Sequence, residues 1–538
     1  MKKIISLIIV CTIIISGMFI YGKSDKKDLL EDNNGPIIAA VIDGKASTTF
    51  PTTNKYTATV ECTRNGIKQD VGAKATWNGT KWVVSFNDIS AGNVRCNATF
   101  ITKVPTLAET ILANNEVKTP LTTPGAEVSA YTLDDVTTTS TYSVSSTDQS
   151  YYVTYGTGWK ANGTKFNLTG TAVTTNTYAN SYSSLVGKYL PYISILSSGS
   201  KTAGTMMTTT NLGSVYYVVS ATSSSFTYKT ISSNKNTTEA LLASTDDDYG
   251  TSYYFRGAVK NNYVEFANKC WRIVRVSGDG SVKLILHNDN TTKVANPCDA
   301  ANNSASAAFA RYSGEKYTSK FNTNYDDNAY VGFKYGTVGA SDYASAHANI
   351  NNSTILTNLE TWYTNNLKTY ADTIADTVWC NDKTNVTDTS YDPWGWTPNG
   401  YGYGKNVTYY GATQRLISTN GRTGGTGPSL KCNSGLSKIN SKVGLITADE
   451  LAYAGYAAAL KNTTTYLQEN ATDTDWLSLS PSVFFSVYAF VWSVNGGSGD
   501  FDNYSVNSDG GVRPAISLII STTISGGTGT SEDPYVVN

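Results

Sequence analysis

Charge is scarce in this chain, since Asp, Glu, Lys and Arg make up 15% of its 538 residues, against a usual ~25%. The 41 basic and 42 acidic side chains leave a net charge of −1 with no long basic run. A phosphate backbone therefore finds no electrostatic footprint, and nucleic acid is excluded as a partner. Histidine is nearly absent, with only His287 and His347. Neither lies in a nucleophile motif, so a Ser or Cys hydrolase has no base, and both read as ordinary surface or edge residues. No two cysteines have the close spacing of a zinc site, so no metal centre is expected, and no cofactor either. Apolar runs of membrane-spanning length are missing apart from one at the start, Ile4 to Tyr21.

That first run follows Lys2-Lys3 and carries no charge, the layout of an export signal or a single membrane anchor. Both alternatives place the rest of the chain outside the cytoplasm. Six cysteines remain beyond Cys11 in the run: Cys62, Cys96, Cys270, Cys298, Cys380 and Cys432. An even set in an exported chain points to disulfides, and domain-local pairing favours Cys62 with Cys96, Cys270 with Cys298, and Cys380 with Cys432. With 37 Tyr and 45 Gly, and Thr, Ser and Asn in place of charge, the composition is that of a β-rich exterior protein.

The length exceeds one hydrophobic core, so several domains are expected. Residues 1–22 form the signal or anchor. From 37 to 103 short alternating runs (Ile37 to Ile42, Tyr56 to Cys62, Ala73 to Trp77, Lys81 to Phe86, Asn93 to Ile101) read as a small immunoglobulin-like β module, with Asn78-Gly79 as a two-residue hairpin turn. A linker spans 104–130, with a short helix around Leu107 to Ala113. Residues 131–235 read as a second β domain rich in Thr, Ser and Tyr, with Asn162-Gly163 as another turn. Beyond 246 helices enter. Trp271 to Val276, a turn at Gly278-Asp279-Gly280, and Val282 to Leu286 make a hairpin. Ser353 caps a helix carrying Ile355, Leu359, Trp362, Leu367 and Tyr370. Thr447 and Glu450 make a capping box for another that continues through Leu451, Ala454, Ala458 and Leu460.

Cys270-Trp271-Arg272-Ile273, the Trp362-Tyr363 helix, Thr447-Ala448-Asp449-Glu450 and the stretch from Trp476 through Ser478, Ser480 and Pro481 to Gly511-Val512-Arg513-Pro514-Ala515-Ile516-Ser517-Leu518 together resemble one superfamily. It is the C-type-lectin-fold superfamily that also holds formylglycine-generating-enzyme-type domains and the variable proteins of diversity-generating retroelements. The resemblance covers 249–519, with 520–538 left as a tail. It implies a multidomain chain whose N-terminal β-sandwich modules precede an α+β C-type-lectin-like domain. In that domain Trp476, Pro481, Arg513 and Pro514 form a rigid frame, Arg513 bonding buried carbonyls. The oxidase chemistry of the formylglycine-generating enzymes uses cysteines in the C-terminal part of the fold, and this chain has none after Cys432.

Between the frame residues lie Phe484, Tyr488, Phe490, Trp492, Asn495, Asp500, Asp502, Asn503, Tyr504 and Asn507. Rings give large contact area at low entropy cost and Asn, Asp and Ser give adaptable hydrogen bonds, so these ten are the expected ligand-binding residues. The acidic runs at Asp246 to Asp248, Asp326-Asp327 and Asp500 to Asp502 read as solvated loops, not calcium sites. The expectation is a cell-surface, adhesin-like protein that binds an extracellular protein or glycan without catalysis, diversified if a retroelement neighbours its gene. An enzyme on the same fold and a self-packing surface-layer protein are the alternatives.

Overall fold

The structure is a computed structural model that describes residues 37–87, 94–126, 130–133, 138–141, 150–153, 172–175, 186, 189–191, 215–221, 225–234, 239–421, 423–432 and 434–537. The expected signal or anchor, Cys11 and the Asn162-Gly163 turn lie outside those residues. No helix among the described residues is long and apolar enough to cross a membrane. The chain is mostly β-sheet with few helices and divides into two compact units, 1–105 and 106–538.

The first unit builds a sheet around Arg95–Thr102, which pairs parallel with Ile37–Ile42 and antiparallel with Tyr56–Arg64. Lys45–Ser47 and Ile67–Gln69 extend its two edges. Alternation does the sorting: Cys96, Ala98 and Phe100 point inward while Arg95 and Asn97 stay exposed. Trp82, from the separate hairpin Lys74–Trp77 and Trp82–Ser85, packs edge-on against Phe100 at 5.3 Å between ring centroids. The Asn78-Gly79 turn is longer than its dipeptide signals. Trp77 opposes Trp82, and Asn78 Oδ1 accepts from the Thr80 and Lys81 amides across a four-residue loop. Cys62 faces Cys96 on neighbouring strands and is bonded to it.

In the second unit, α1 (Leu107–Asn114) starts at a capping box made by Thr106 and Glu109. Its Leu107 and Ile111 are fully buried in the main core, and the Leu107 amide donates to the Thr522 carbonyl at 2.7 Å. This part of the expected linker is thus structural, because its apolar face has core to cover. Residues 131–235 supply strands, among them Val215–Ala221 paired antiparallel with Ser225–Asn234. An eight-stranded sheet then runs through Ala240–Asp247, Gly250–Gly257, Lys269–Val276 and Val282–Asn288, with Ala515–Leu518 antiparallel to the last of these. Tyr535–Val537 joins the same sheet parallel to Tyr263–Phe266, so the expected tail closes the fold.

The short α2 (Tyr343–His347) is capped by Asp342 and precedes α3 (Thr354–Asn366), capped by Ser353. Ile355, Leu356, Leu359 and Trp362 form the buried face of α3, which stops before Leu367, leaving Tyr370 exposed. Trp362 meets Trp271 edge-on at 6.1 Å and donates to Asp289 Oδ2 at 3.0 Å. After α4 (Gly411–Leu416), α5 (Ala448–Ala454) begins at the Thr447/Glu450 capping box. It ends where Gly455 takes a left-handed conformation, φ 117°, so Ala458 and Leu460 lie beyond the helix. A six-stranded sheet carries the C-terminal hairpin Trp476–Phe485 and Tyr488–Val494, flanked by Phe501–Ser505 and, on the other side, Asp509–Gly511 and Thr408–Tyr409.

Candidate ligand-binding surface

The hairpin turns at Ser486 and Val487, both left-handed at φ 49° and 71°. A β-branched residue there is strained, and hairpin turns of this kind favour Asn-Gly. The turn presents Val487 and Tyr488 to solvent, 47% and 39% exposed, with Phe485 opposite Tyr488 in the ladder. Tyr325 stacks on Tyr488 at 4.7 Å with 11° between ring planes, fixed by the Ala489 amide donating to the Tyr325 carbonyl at 2.8 Å. On the other side Trp396 stacks on Phe485 at 4.1 Å and 10°, and Trp394 lies 4.9 Å from Trp396. Phe490 extends the row 6.3 Å from Tyr488. Val386, Tyr391, Tyr409 and Val483 are buried beneath it.

The loop bearing Trp394 and Trp396 is tied down by one carboxylate. Asp392 accepts from the Trp396 and Thr397 amides at 2.7 and 2.9 Å and from the Tyr409 hydroxyl at 3.0 Å. Desolvation pushes its pKa up, but these donors outweigh it and hold the carboxyl below its usual range. Tyr391 donates through its hydroxyl to the Ile417 carbonyl at 2.9 Å. The rings are therefore held on a stiff base, half-buried and facing out.

The expected site residues do not come together as a set. Phe484 and Trp492 are fully buried and leave the surface. Strand Tyr488–Val494 is covered on both faces, so alternation does not expose every second ring; Trp492 packs on Phe501 at 4.8 Å. Tyr488 is exposed, and Phe490 and Tyr504 are half-buried, with the Tyr504 hydroxyl donating to the Asp509 carbonyl at 3.2 Å. Asn495 and Asp500 sit at the opposite end of the strand, about 27 Å from the turn at ~3.4 Å per residue. There Asn495 Oδ1 accepts from the Ser498 amide and hydroxyl, both at 2.8 Å, and that hydroxyl also reaches Asp500. Asp502 accepts from the Asn503 amide at 2.7 Å, and Asn507 from the Ser505 hydroxyl at 2.7 Å. Tyr325, Trp394 and Trp396 carry no strand or helix periodicity, and the reading of the sequence missed them. Their signal was two tryptophans around Gly395 in a stretch with Pro393 and Pro398.

Trp476, Pro481, Arg513 and Pro514 are buried. The Arg513 guanidinium donates from Nε to the Leu286 carbonyl at 3.0 Å and from Nη1 to that of Leu467, over the Trp476 ring. Both histidines are fully buried, not surface or edge residues. Burial, followed by Lys383, pushes His347 down to about 3, and burial likewise holds His287 well below its ordinary value, so both imidazoles are neutral. The Lys383 ammonium is spent on the Lys334 and His347 carbonyls and on Asn349 Oδ1, at 3.0, 2.8 and 2.7 Å.

Two of the acidic runs are not the solvated loops expected. Asp327 is buried, accepting from the Ala329 and Gly339 amides. Asp247 is buried at the edge of a charged centre, 2.7 Å from Arg275, which also reaches Glu450 at 3.0 Å. Lys283 lies 2.7 Å from Glu450, and Arg415 bridges Asp382 and Asp449 at 2.7 and 2.6 Å. Burial alone would raise Glu450, yet Lys283 and Arg275 overcome it and hold the carboxyl down to about 2. Cys380 and Cys432, also bonded, line this centre, and Cys270 is bonded to Cys298. The three disulfides fit an oxidising compartment.

Compared with known protein families, with curated proteins and with solved structures, the chain matches none.

Proposed function

We propose that the chain is an exported, surface-displayed binding protein in which residues 249–519 form a C-type-lectin-like module, holding an extracellular protein or glycan without chemically changing it. The observation that carries this reading is the row of rings Trp394, Trp396, Phe485, Phe490, Tyr488 and Tyr325, stacked in pairs on a hydrogen-bonded base and left partly open to solvent. Aromatic rings on restrained loops offer contact area without much side-chain entropy to lose.

Support for the lectin-like assignment comes from α3 and α5 packed with sheets, and from a C-terminal hairpin framed by Trp476 and the Gly511 to Pro514 turn. The buried charged centre serves this reading as a structural device: its acids face Arg275, Lys283 and Arg415 and are spent on them. In this reading the immunoglobulin-like first unit is a spacer.

The test is the double variant Tyr325→Ala, Tyr488→Ala in the full chain, scored for binding to a glycan array and to intact host cells. Binding should fall at least about fivefold if each ring contributes the ~0.5–1.5 kcal/mol of an aromatic contact. Wild-type binding with an unchanged circular dichroism spectrum would refute the assignment of the face.

A further inference from the structure

Residues 106–126 and 239–537 are two separate passages of the chain, and the first is fastened along its length to the second. Helix α1 sets Leu107 and Ile111, both 0% exposed, into the main core. Its start is fixed by the Leu107 amide donating to the Thr522 carbonyl at 2.7 Å, beside an antiparallel bridge between Thr106 and Thr523. Its end is fixed by Asn114 Nδ2, which donates to the Tyr535 hydroxyl at 3.1 Å. Beyond the helix Asn261 Nδ2 donates to Asn115 Oδ1 at 2.7 Å, and the Lys118 amide donates to the Leu242 carbonyl at 2.8 Å.

A buried clamp closes the far end. Arg256, 1% exposed, donates from Nε to Glu239 Oε2 and from Nη2 to the Thr122 hydroxyl, both at 2.8 Å. Its Nη1 reaches the Ala452 and Tyr453 carbonyls, each at 3.2 Å. The other Glu239 oxygen accepts from the Leu121 amide. One guanidinium thus serves three segments, and withdrawing any of them would leave buried charge-assisted donors unpaired. Gly125 then lies in a parallel bridge with Ala457, where a Cβ would sit 3.4 to 3.5 Å from Leu416, Ala452 and Pro428.

The covalent path from the first passage to the second runs through residues 127–238. Among the described residues, the strands of that stretch pair only with one another, Ser225–Asn234 joining Ala130–Leu133, Thr138–Thr141 and Val215–Ala221. Its two ends leave from one place, since Leu121 and Thr122 bond to Glu239. The described disulfides do not cross from one side to the other: Cys62 pairs with Cys96 on the first, and Cys270 with Cys298 and Cys380 with Cys432 on the second.

From this arrangement we infer that residues 106–126 are a noncovalent joint, which holds 239–537 to the N-terminal part of the chain whether or not the backbone through 127–238 is intact. The partner surface is the groove between Glu239 to Leu242, Arg256 and the strands that end the chain. In the surface-displayed role proposed above, a module cut within 127–238 stays attached to the part that carries it. The joint itself does not rest on that role, and its test measures association alone.

A recognition sequence for a site-specific protease, flanked by Gly-Ser spacers, is inserted between Val128 and Ser129 of the full chain, and the cut protein is run on gel filtration at about 1 μM. The two fragments should separate on a denaturing non-reducing gel and co-elute on the column. Separation on the column would overturn the joint. Leu107→Ala with Ile111→Ala, uncut, should keep the wild-type circular dichroism; once cut, its fragments should associate roughly a thousandfold or more weakly and elute apart. Co-elution of the cut variant as tightly as wild type would mean that another contact holds the halves, and the assignment to 106–126 would fall. Should the uncut variant lose its fold, an excess of a synthetic peptide of residues 106–126 decides in its place. It should displace the N-terminal fragment of the cut wild type, and a complex that the peptide does not exchange is held elsewhere.

Discussion

Replacing Glu450 with Gln separates two jobs that one side chain performs. As the third residue of the Thr447 capping box, Glu450 accepts from the Thr447 amide at 3.0 Å, which a Gln oxygen also does. As an anion it neutralises Lys283 and Arg275, whose side chains are only 5% and 12% exposed. The substitution keeps the cap and removes the charge. Holding a buried carboxyl at about 2 instead of its ordinary 4.5 corresponds, at ~1.4 kcal/mol per pH unit, to about 3 kcal/mol of folding stability. Stranding buried cations gives a similar figure, roughly 3–5 kcal/mol. Because the folded value is depressed, this stability is fully present above the unfolded-state pKa and is lost as pH falls from ~4.5 toward ~2. Urea unfolding should therefore show Glu450→Gln less stable than wild type by about 3 kcal/mol at pH 7, with the gap narrowing through that acid window. Equal midpoints at pH 7, or a gap that does not change with pH, would refute the reasoning.

The turn and the frame give two further expectations. Val487→Gly relieves about 1–2 kcal/mol of left-handed strain against roughly 0.5–1 kcal/mol of glycine entropy. Its urea midpoint should match wild type or rise slightly; a loss above about 1 kcal/mol would mean that the Val487 side chain is packed and that the strain is repaid locally. Gly511→Ala would place a Cβ 2.5 Å from Cε1 of the buried Phe309 ring. It should destabilise the second unit by about 1–3 kcal/mol through overpacking, visible as a lowered melting temperature, and an unchanged one would mean that Phe309 moves freely.

Local chemistry is what the sequence exposed most clearly. The Thr447/Glu450 box, the Ser353 cap and the strands on either side of Gly278-Asp279-Gly280 depend on neighbours within a few residues, and each forms where its residues indicate. The disulfides were legible because cysteines close in the chain were close in the fold. Long-range cover was not legible. Leu107 and Ile111 look like linker residues until the strands they lie against are known, and Tyr535 looks like part of a tail until Tyr263–Phe266 supplies its ladder. His287 and His347 mislead in the same way, since nothing adjacent in the chain announces that each is enclosed.

The aromatic stretch failed as a site list for one physical reason. A run of rings says how much apolar surface must be placed but not which side receives it, and a hairpin in the middle of a sheet with both faces covered has two interiors. Phe484, Val491, Trp492 and Val494 fill the main core, Val483 fills the smaller cluster under Tyr409, and only the turn escapes both. The rings that complete the open face, Trp394, Trp396 and Tyr325, come from segments roughly 90 to 160 residues earlier and meet the hairpin only through the tertiary fold. Substituting Trp396 or Tyr325 should accordingly change ligand binding as much as substituting Tyr488. A scan confined to residues 484–507 would attribute the whole effect to the turn and leave the opposite half of each stacked pair unseen.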